Sequence, residues 1–271
     1  MAGRVEGKVA LITGAARGQG RSHALALARE GADIIAVDIG DQEIGHGLTR
    51  TATKADLDET VRQVEELDRR CLGIVADISQ EDQITAAAQQ AIAEFGRIDV
   101  LVANAALFDK PTPSWEISKE RWDALISVDL TGTWLTTKAV APHMVERGSG
   151  SIIIISSAAG LRAAPFLSSY GVAKWGVRGL MLTLANELGY SGVRANSIHP
   201  GTVDTPGVDA MMELMGVRRE DAMPGFIDGQ ILKDYLQPSD TSAGVLFLAS
   251  DESRFVTGLE LAIDGGASAK A

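Results

Sequence analysis

The sequence predicts an α/β fold, a doubly wound parallel sheet of seven strands flanked by helices, in a single domain over residues 1–271. Three observations predict it. Short runs rich in Val, Ile and Leu recur along the chain with little polar alternation, as in strands covered on both faces. Helix-length segments separate these runs, and strand–helix alternation of this kind closes into a parallel sheet through right-handed crossovers. No internal repeat, low-complexity tract or linker breaks the pattern.

The strand-like runs are Lys8–Thr13, Asp33–Asp38, Cys71–Asp77, Ile98–Ala103, Ser151–Ser156, Val193–His199 and Leu259–Asp264. Helical patterns lie between them, among them Arg21–Glu30, Asp82–Phe95 and Val172–Leu188. Two segments exceed a plain connection. Residues 39–56 follow the second strand, carry Gly40, Gly45 and Gly47, and read as an inserted loop. Residues 201–237 follow the sixth strand and read as a substrate lid, since long segments inside compact domains are often functional.

The first strand runs into Thr13-Gly14-Ala15-Ala16-Arg17-Gly18-Gln19-Gly20. Three glycines let the backbone turn tightly and approach a pyrophosphate, while the N-terminus of the following helix offers free N–H groups. No Lys-Ser or Lys-Thr follows, so this is not a nucleoside-triphosphate loop. The second strand ends at Asp38, eighteen residues past Gly20, where a carboxylate accepts from an adenosine ribose and repels a 2′-phosphate. That favours NAD over NADP. Arg17 points the other way, because a guanidinium nearby can hold that phosphate. Gly14, Arg17, Gly18, Gln19, Gly20, Asp38 and the following Ile39 are the first cofactor candidates. Asp77 with Ile78 after the third strand, and Asn104 after the fourth, extend the set. Asp38, Asp77 and Asn104 have plainer readings. Asp38 and Asp77 then serve as turn residues after a strand, Asp77 otherwise bonding near the adenine. Asn104 is then a turn former rather than a backbone clamp beside the ribose.

Ser157 follows the fifth strand, Tyr170 comes thirteen residues later and Lys174 four beyond that. If Tyr170 opens a helix, Lys174 lies on the same face one turn along. A cation there favours the phenolate and lowers the phenol from its usual pKa of about 10. A phenol tuned in this way exchanges a proton with a substrate hydroxyl, and Ser157 can hold the same oxygen. Ser157, Tyr170 and Lys174 are therefore the catalytic candidates. The plainer alternative is a surface Tyr–Lys pair beside a capping serine.

Over essentially its whole length the chain resembles the short-chain dehydrogenase/reductase family, of Rossmann-like fold. The matching motifs are Thr13–Gly20, the Asn104-Ala105 turn, Ser157, Tyr170-x-x-x-Lys174, Asn196-Ser197-Ile198-His199-Pro200-Gly201 and Asp264-Gly265-Gly266. The resemblance implies an NAD-linked alcohol dehydrogenase or ketoreductase with Ser157, Tyr170 and Lys174 catalytic. It implies that Lys174 also reaches the nicotinamide ribose, that Val203 and Thr205 contact the carboxamide, and that the protein is a homotetramer. Residues 14–24, Ala36-Val37-Asp38-Ile39 and the insert after it resemble more narrowly the carveol-dehydrogenase-like, mycofactocin-coupled branch. This implies a secondary, alicyclic or otherwise apolar alcohol, and an external electron acceptor of mycofactocin type. Reduction of a steroid or acyl-thioester ketone is the alternative substrate class. A non-catalytic dinucleotide-binding regulator is the alternative of another kind.

Two departures stand out. Ala103-Asn104-Ala105-Ala106 replaces the family's Asn-Asn-Ala-Gly, and Asp129 stands where the family has a relay Asn whose backbone carbonyl holds a water. An ionised Asp129 near Lys174 would offset the cation and raise the Tyr170 pKa. Asp129 is not counted as catalytic.

Composition restricts the partners. Thirty-six acidic against 25 basic residues give a net charge of −11, which disfavours nonspecific attraction to nucleic acid or an anionic membrane. No apolar run of about 18 residues and no leader-like N-terminus occurs. The single Cys71, expected in a buried strand, suits a reducing compartment, so the expectation is a cytoplasmic protein. The four histidines, His23, His46, His143 and His199, lack ligand spacing, and no metal is expected. Acidic clusters at 56–59 and 65–66 read as solvated helix faces. Met211, Met212, Leu214, Met215, Met223 and Phe226 suit an adaptable apolar pocket or, equally, ordinary helix packing.

Overall fold

The computed structural model describes residues 3–42, 44, 46 and 48–270. Gly45 and Gly47 of the expected insert lie outside the described residues. In chain order the elements are β1 (Val9–Thr13), α1 (Gly18–Arg29), β2 (Asp33–Asp38), α2 (Lys54–Glu65), β3 (Cys71–Val75), α3 (Glu81–Phe95), β4 (Val100–Ala103), α4 (Lys119–Ile126) and α5 (Thr133–Arg147). Then come β5 (Gly150–Ile155), α6 (Ser168–Leu188), β6 (Val193–Pro200), α7 (Pro206–Met215), α8 (Arg219–Asp228), α9 (Pro238–Ala249) and β7 (Glu260–Ile263).

The seven strands form one sheet in the order β3-β2-β1-β4-β5-β6-β7, and every pairing is parallel. Two-residue periodicity divides the strand side chains between two cores. Leu11, Ile35, Leu101 and Ile152 face α3, α4, α5 and α6, packing on Ile84, Leu125, Val140 and Val177. Ala10, Ile12, Ile34 and Ile153 face the opposite way onto α1, α2 and α9, against Leu27, Leu57 and Leu248. This is the two-sided burial that the continuous apolar runs predict.

The expectation of cover on both faces fails at the two sheet edges. Gly73 and Val75 of β3 and Ala262 of β7 are exposed, because an edge strand has a neighbour on one side only. The third strand also stops earlier than expected. Asp77 leaves the ladder because its Oδ1 accepts from Ser79 N (2.8 Å), turning the chain toward α3. Cys71 opens β3 half-buried, and burial pushes its thiol up to about 12, so it is no reactive thiolate.

The insert after β2 is a loop only to Thr53, whose side chain and Asp56 form a reciprocal capping box that starts α2. The acidic cluster divides accordingly. Asp56 caps, Leu57 is buried, and Asp58 and Glu59 make exposed ion pairs with Lys54 and Arg62. Between α4 and α5 the chain forms a π-helical stretch, Ser127–Gly132, which carries Asp129. A π-turn inserted in a helix re-aims the following side chains and is frequent at functional sites. Residues 201–237 fold into α7 and α8, which share a small core of Val208, Met211, Met212 and Met223. Arg219 pairs with Asp204 and Asp209, joining the two helices, and Val203 bridges to Leu236.

Candidate active site

Sheet order reverses at β1 and β4, and the crevice beyond the strand C-termini is where ligands bind in such sheets. A cavity of about 550 Å³ lies here. It is lined by Gly14, Arg17, Gly18, Gln19, Gly20, Asp38, Ile39, Asp77, Ile78, Asn104, Ser157, Tyr170, Lys174, Val203 and Thr205. The fold thus brings the cofactor and catalytic candidates that the sequence indicates to one cavity.

The cofactor half is built from backbone. Gly14 sits at φ +66°, and a Cβ there would stand 2.8 Å from the Ala105 Cα. A Cβ on Gly20 would stand 2.0 Å from the Gly14 carbonyl oxygen. Both positions therefore need glycine. Asn104 donates from Nδ2 to the Thr13 and Gly14 carbonyls (2.9 and 3.2 Å), while Thr13 Oγ1 accepts from Asn104 N and Ala105 N. Asn104 is thus the backbone clamp, and Thr13, which opens the glycine motif, is its counterpart.

Asp38 accepts from Ala16 N (2.9 Å) and Ile39 N (2.8 Å), fixing the glycine loop against β2. Burial pushes its carboxyl up, while those two N–H groups and Arg17 hold it down. The Arg17 guanidinium donates to the Arg50 carbonyl (2.5 Å), tying the loop to the insert. Gln19 Oε1 is buried, without a hydrogen-bond partner among the described residues. A turned glycine loop, a carboxylate at the end of β2 and a free acceptor in this half fit a dinucleotide.

The chemical half is carried by α6. Tyr170 and Lys174 stand one helical turn apart, both buried, so the exposed-pair alternative does not hold. Lys174 Nζ lies 5.4 Å from the Tyr170 ring centroid, donates to the Ile155 carbonyl (3.4 Å), and sits 3.5 Å from Asp129 Oδ2. Ser157 starts a short turn, its hydroxyl accepting from Ala159 N (3.1 Å). Burial pushes the Tyr170 phenol up; Lys174 and the Ser157 hydroxyl pull it down, and Asp129 pushes it up again. His199, in β6, is kept neutral by burial. Its Nδ1 therefore donates to the Ser157 carbonyl (3.0 Å) and its Nε2 accepts from Ser197 Oγ (2.8 Å). It steadies the Ser157 turn from beneath.

Asp129 is fully buried. Its Oδ1 accepts from Leu107 N (2.8 Å), and among the described residues Oδ2 has no hydrogen bond other than the approach of Lys174. Burial raises this carboxyl, and Lys174 and the Leu107 N–H oppose the rise. One side chain thus links the loop after β4 to the α6 lysine.

Several wall residues carried no sequence signal. Phe108 lies on Tyr170 with ring centroids 5.3 Å apart. Thr49 N donates to the Phe108 carbonyl and Phe108 N to Thr49 Oγ1, so the insert is laced to the loop after β4. Val208, Met211 and Phe226 line the cavity, whereas Met212 and Met223 are buried in the α7–α8 core. Both readings of the methionine segment hold, at different residues. Thr205 caps α7 by accepting from Val208 N, and Val203 is buried beside it. Among the described residues no group of three or more His, Cys, Asp or Glu is placed to hold a metal ion. None of the described helices is long and apolar enough to cross a membrane.

A family model described as enoyl-(acyl carrier protein) reductase matches residues 14–268. Carveol dehydrogenase from Mycobacterium avium, solved with NAD, superposes with a TM-score of 0.94 at 41% identity, covering 99% of this chain and 100% of that one. A short chain dehydrogenase from Mycobacterium paratuberculosis bound to NAD gives a TM-score of 0.90 at 41% identity, over 99% and 100%. Trans-4-hydroxycyclohexanecarboxylate dehydrogenase of Sinomonas cyclohexanicum is 42% identical over 98% of this chain and 95% of its own.

Proposed function

Because the chain belongs to the short-chain dehydrogenase/reductase family and is an NAD-dependent oxidoreductase, we propose that it interconverts a secondary, alicyclic or otherwise apolar alcohol and its ketone. The observation that carries this is the meeting of Ser157, Tyr170 and Lys174 under a wall of Phe108, Val208, Met211 and Phe226. Bound NAD supplies the hydride acceptor for oxidation.

Tyr170 takes the alcohol proton as the carbonyl forms and returns it in reduction. Ser157 Oγ holds the reacting oxygen in place, with its turn anchored by His199. Lys174 favours the phenolate and binds the nicotinamide ribose. Gly14, Arg17, Gly18, Gln19 and Gly20 hold the pyrophosphate, and Asp38 with Ile39 the adenosine ribose. Asp77, Ile78 and Asn104 complete the adenosine side, and Val203 and Thr205 the carboxamide side. The apolar wall favours a hydrocarbon ring over an extended chain. Both the carveol and the hydroxycyclohexane relatives support a cyclic alcohol.

In the same reading residues 201–237 close over the substrate within the one domain, and the protein is a cytoplasmic homotetramer. An external acceptor of mycofactocin type receives its electrons. These points rest on the resemblance and on the sequence. A panel of cyclic secondary alcohols, cyclic primary alcohols and acyl thioesters, followed by NADH or NADPH absorbance, tests the proposal. We expect turnover of cyclic secondary alcohols with NAD ahead of NADP. Turnover confined to acyl thioesters, or preference for NADP, would overturn it.

A further inference from the structure

Four cations line the cavity: Arg17, Arg50, Lys174 and Arg162. Two are held by partners: the Arg17 guanidinium donates to the Arg50 backbone carbonyl, and Lys174 lies between Asp129 and the Ile155 carbonyl. The Arg50 guanidinium has no partner among the described residues, but it belongs to the insert that Arg17 ties to the glycine loop on the adenosine side. Arg162 is different. It lies five residues beyond Ser157, in the loop that leads into α6, and its backbone N–H donates to the Ala158 carbonyl (3.1 Å). Its guanidinium reaches across to α8, with one terminal nitrogen 4.0 Å from where a Cβ of Gly229 would be. Among the described residues it makes no ion pair and no side-chain hydrogen bond. The carbonyls at the end of α8 do not receive it either.

The wall opposite is cut back. Gly225 lies inside α8 and Gly229 ends it, and both line the cavity. Glycine inside a helix is unfavourable by about 1 kcal/mol against alanine. At Gly225 a Cβ would meet no protein atom within 4 Å, so packing does not demand glycine there. Open space beside a guanidinium does have a use, which is to admit a ligand group between α8 and the loop after Ser157. Arg162 is exposed and lines the cavity beside Ala163, Ala164 and Pro165. A planar guanidinium with no partner among the described residues matches a carboxylate through paired N–H···O bonds. A single cation does not neutralise a phosphate dianion.

We infer that the substrate of this site is an alicyclic hydroxy acid, a secondary alcohol whose ring bears a carboxylate away from the reacting carbon, and that Arg162 receives that carboxylate. This rests on the secondary-alcohol reading above and narrows it. Arg162 is a specificity residue. It takes no part in proton or hydride transfer, which remains with Tyr170, Ser157 and Lys174.

The test compares 3- and 4-hydroxycyclohexanecarboxylate with their carboxamides, which keep the shape and remove the charge. With the unmodified protein, kcat/KM for the preferred acid should exceed that for its carboxamide by about tenfold or more, the scale of a charge-assisted hydrogen bond. Arg162→Met keeps the apolar stem. It should cost about 10- to 100-fold on the acid through KM, leave kcat and the carboxamide unchanged, and be partly restored in Arg162→Lys. Equal use of acid and carboxamide by the unmodified protein would overturn the inference, as would an equal loss on both in Arg162→Met. Calorimetric titration of cyclohexanecarboxylate, which has no hydroxyl to oxidise, into the NAD-loaded protein reads the anion site without turnover. Binding that Arg162→Met abolishes, with no alcohol oxidised, upholds the anion site and defeats the alcohol reading. Oxidation of neutral cyclic alcohols without any such binding defeats the anion site and upholds the alcohol reading.

Discussion

The two halves of the cavity are made by different means. On the adenosine side, Gly14, Gly20, Asp38 and Asn104 act through backbone geometry: one positive φ, two contacts too close for a side chain, and side chains spent on main-chain N–H and carbonyl groups. On the substrate side, Phe108, Met211, Phe226 and Arg162 act through their own side chains, and come from three segments far apart in sequence. The first half is a scaffold that tolerates little change. The second is a surface whose shape can vary while the fold stays the same.

The largest effect should come where the halves meet. Tyr170→Phe keeps the ring against Phe108 but removes the hydroxyl. NAD affinity should hold while kcat falls by about 10² or more, the usual scale for losing a general acid–base. Pre-steady-state NADH formation together with an NAD titration checks both. Comparable turnover would remove Tyr170 from the chemistry.

One chemical change made on both sides sharpens the contrast. In Gly20→Ala the new methyl meets the Gly14 carbonyl oxygen of the glycine loop at 2.0 Å. We expect a stability loss of about 1–3 kcal/mol, as for other overpacked positions, with weakened NAD binding. Gly225→Ala meets nothing within 4 Å and replaces a poor helix former inside α8. Stability should rise by up to about 1 kcal/mol with NAD binding unchanged, while the largest alcohols lose kcat/KM. Urea unfolding and NAD titration of the two variants decide the matter. Equal stability losses would mean the halves are not built differently.

The same difference explains what could be read from the chain. Tight turns, a carboxylate ending a strand and a Tyr–Lys pair one helical turn apart are local patterns, so Thr13–Gly20, Asp38, Tyr170 and Lys174 were legible before any coordinates. The strand runs were legible because the inner strands are buried on both faces, and the error fell on β3 and β7, where one neighbour is missing. Phe108 and Arg162 were not legible. Nothing near either residue in sequence indicates the Thr49 loop that meets one or the α8 glycines that face the other. The insert looks like one long loop in sequence, although the Thr53–Asp56 capping box that starts α2 lies within it.

The smallest effect belongs to Asp129, the residue that joins the halves through Leu107 N and Lys174. Burial is the main cause that holds the Tyr170 phenol above its ordinary value; Lys174 and Ser157 oppose it, and the Asp129 charge works on the side of burial. Alcohol oxidation needs the phenolate, so its rate rises as pH climbs through the Tyr170 pKa. Asp129 Oδ2 lies 3.5 Å from Lys174 Nζ, so a charge on Asp129 offsets the Lys174 cation that favours the phenolate. Asp129→Asn removes the charge, and the amide oxygen still accepts from Leu107 N. Lys174 then acts on Tyr170 unopposed, the phenol pKa falls, and the rising limb of the oxidation profile moves toward neutral pH. Ketone reduction, which needs the protonated phenol, should lose activity at the alkaline end first. Profiles of kcat in both directions, measured at saturating cofactor, test this. A common shift of both limbs identifies Asp129 as the setting on the proton donor. An unchanged pair would mean that Asp129 keeps its proton beside Lys174 and acts only as the peg for the Leu107 backbone.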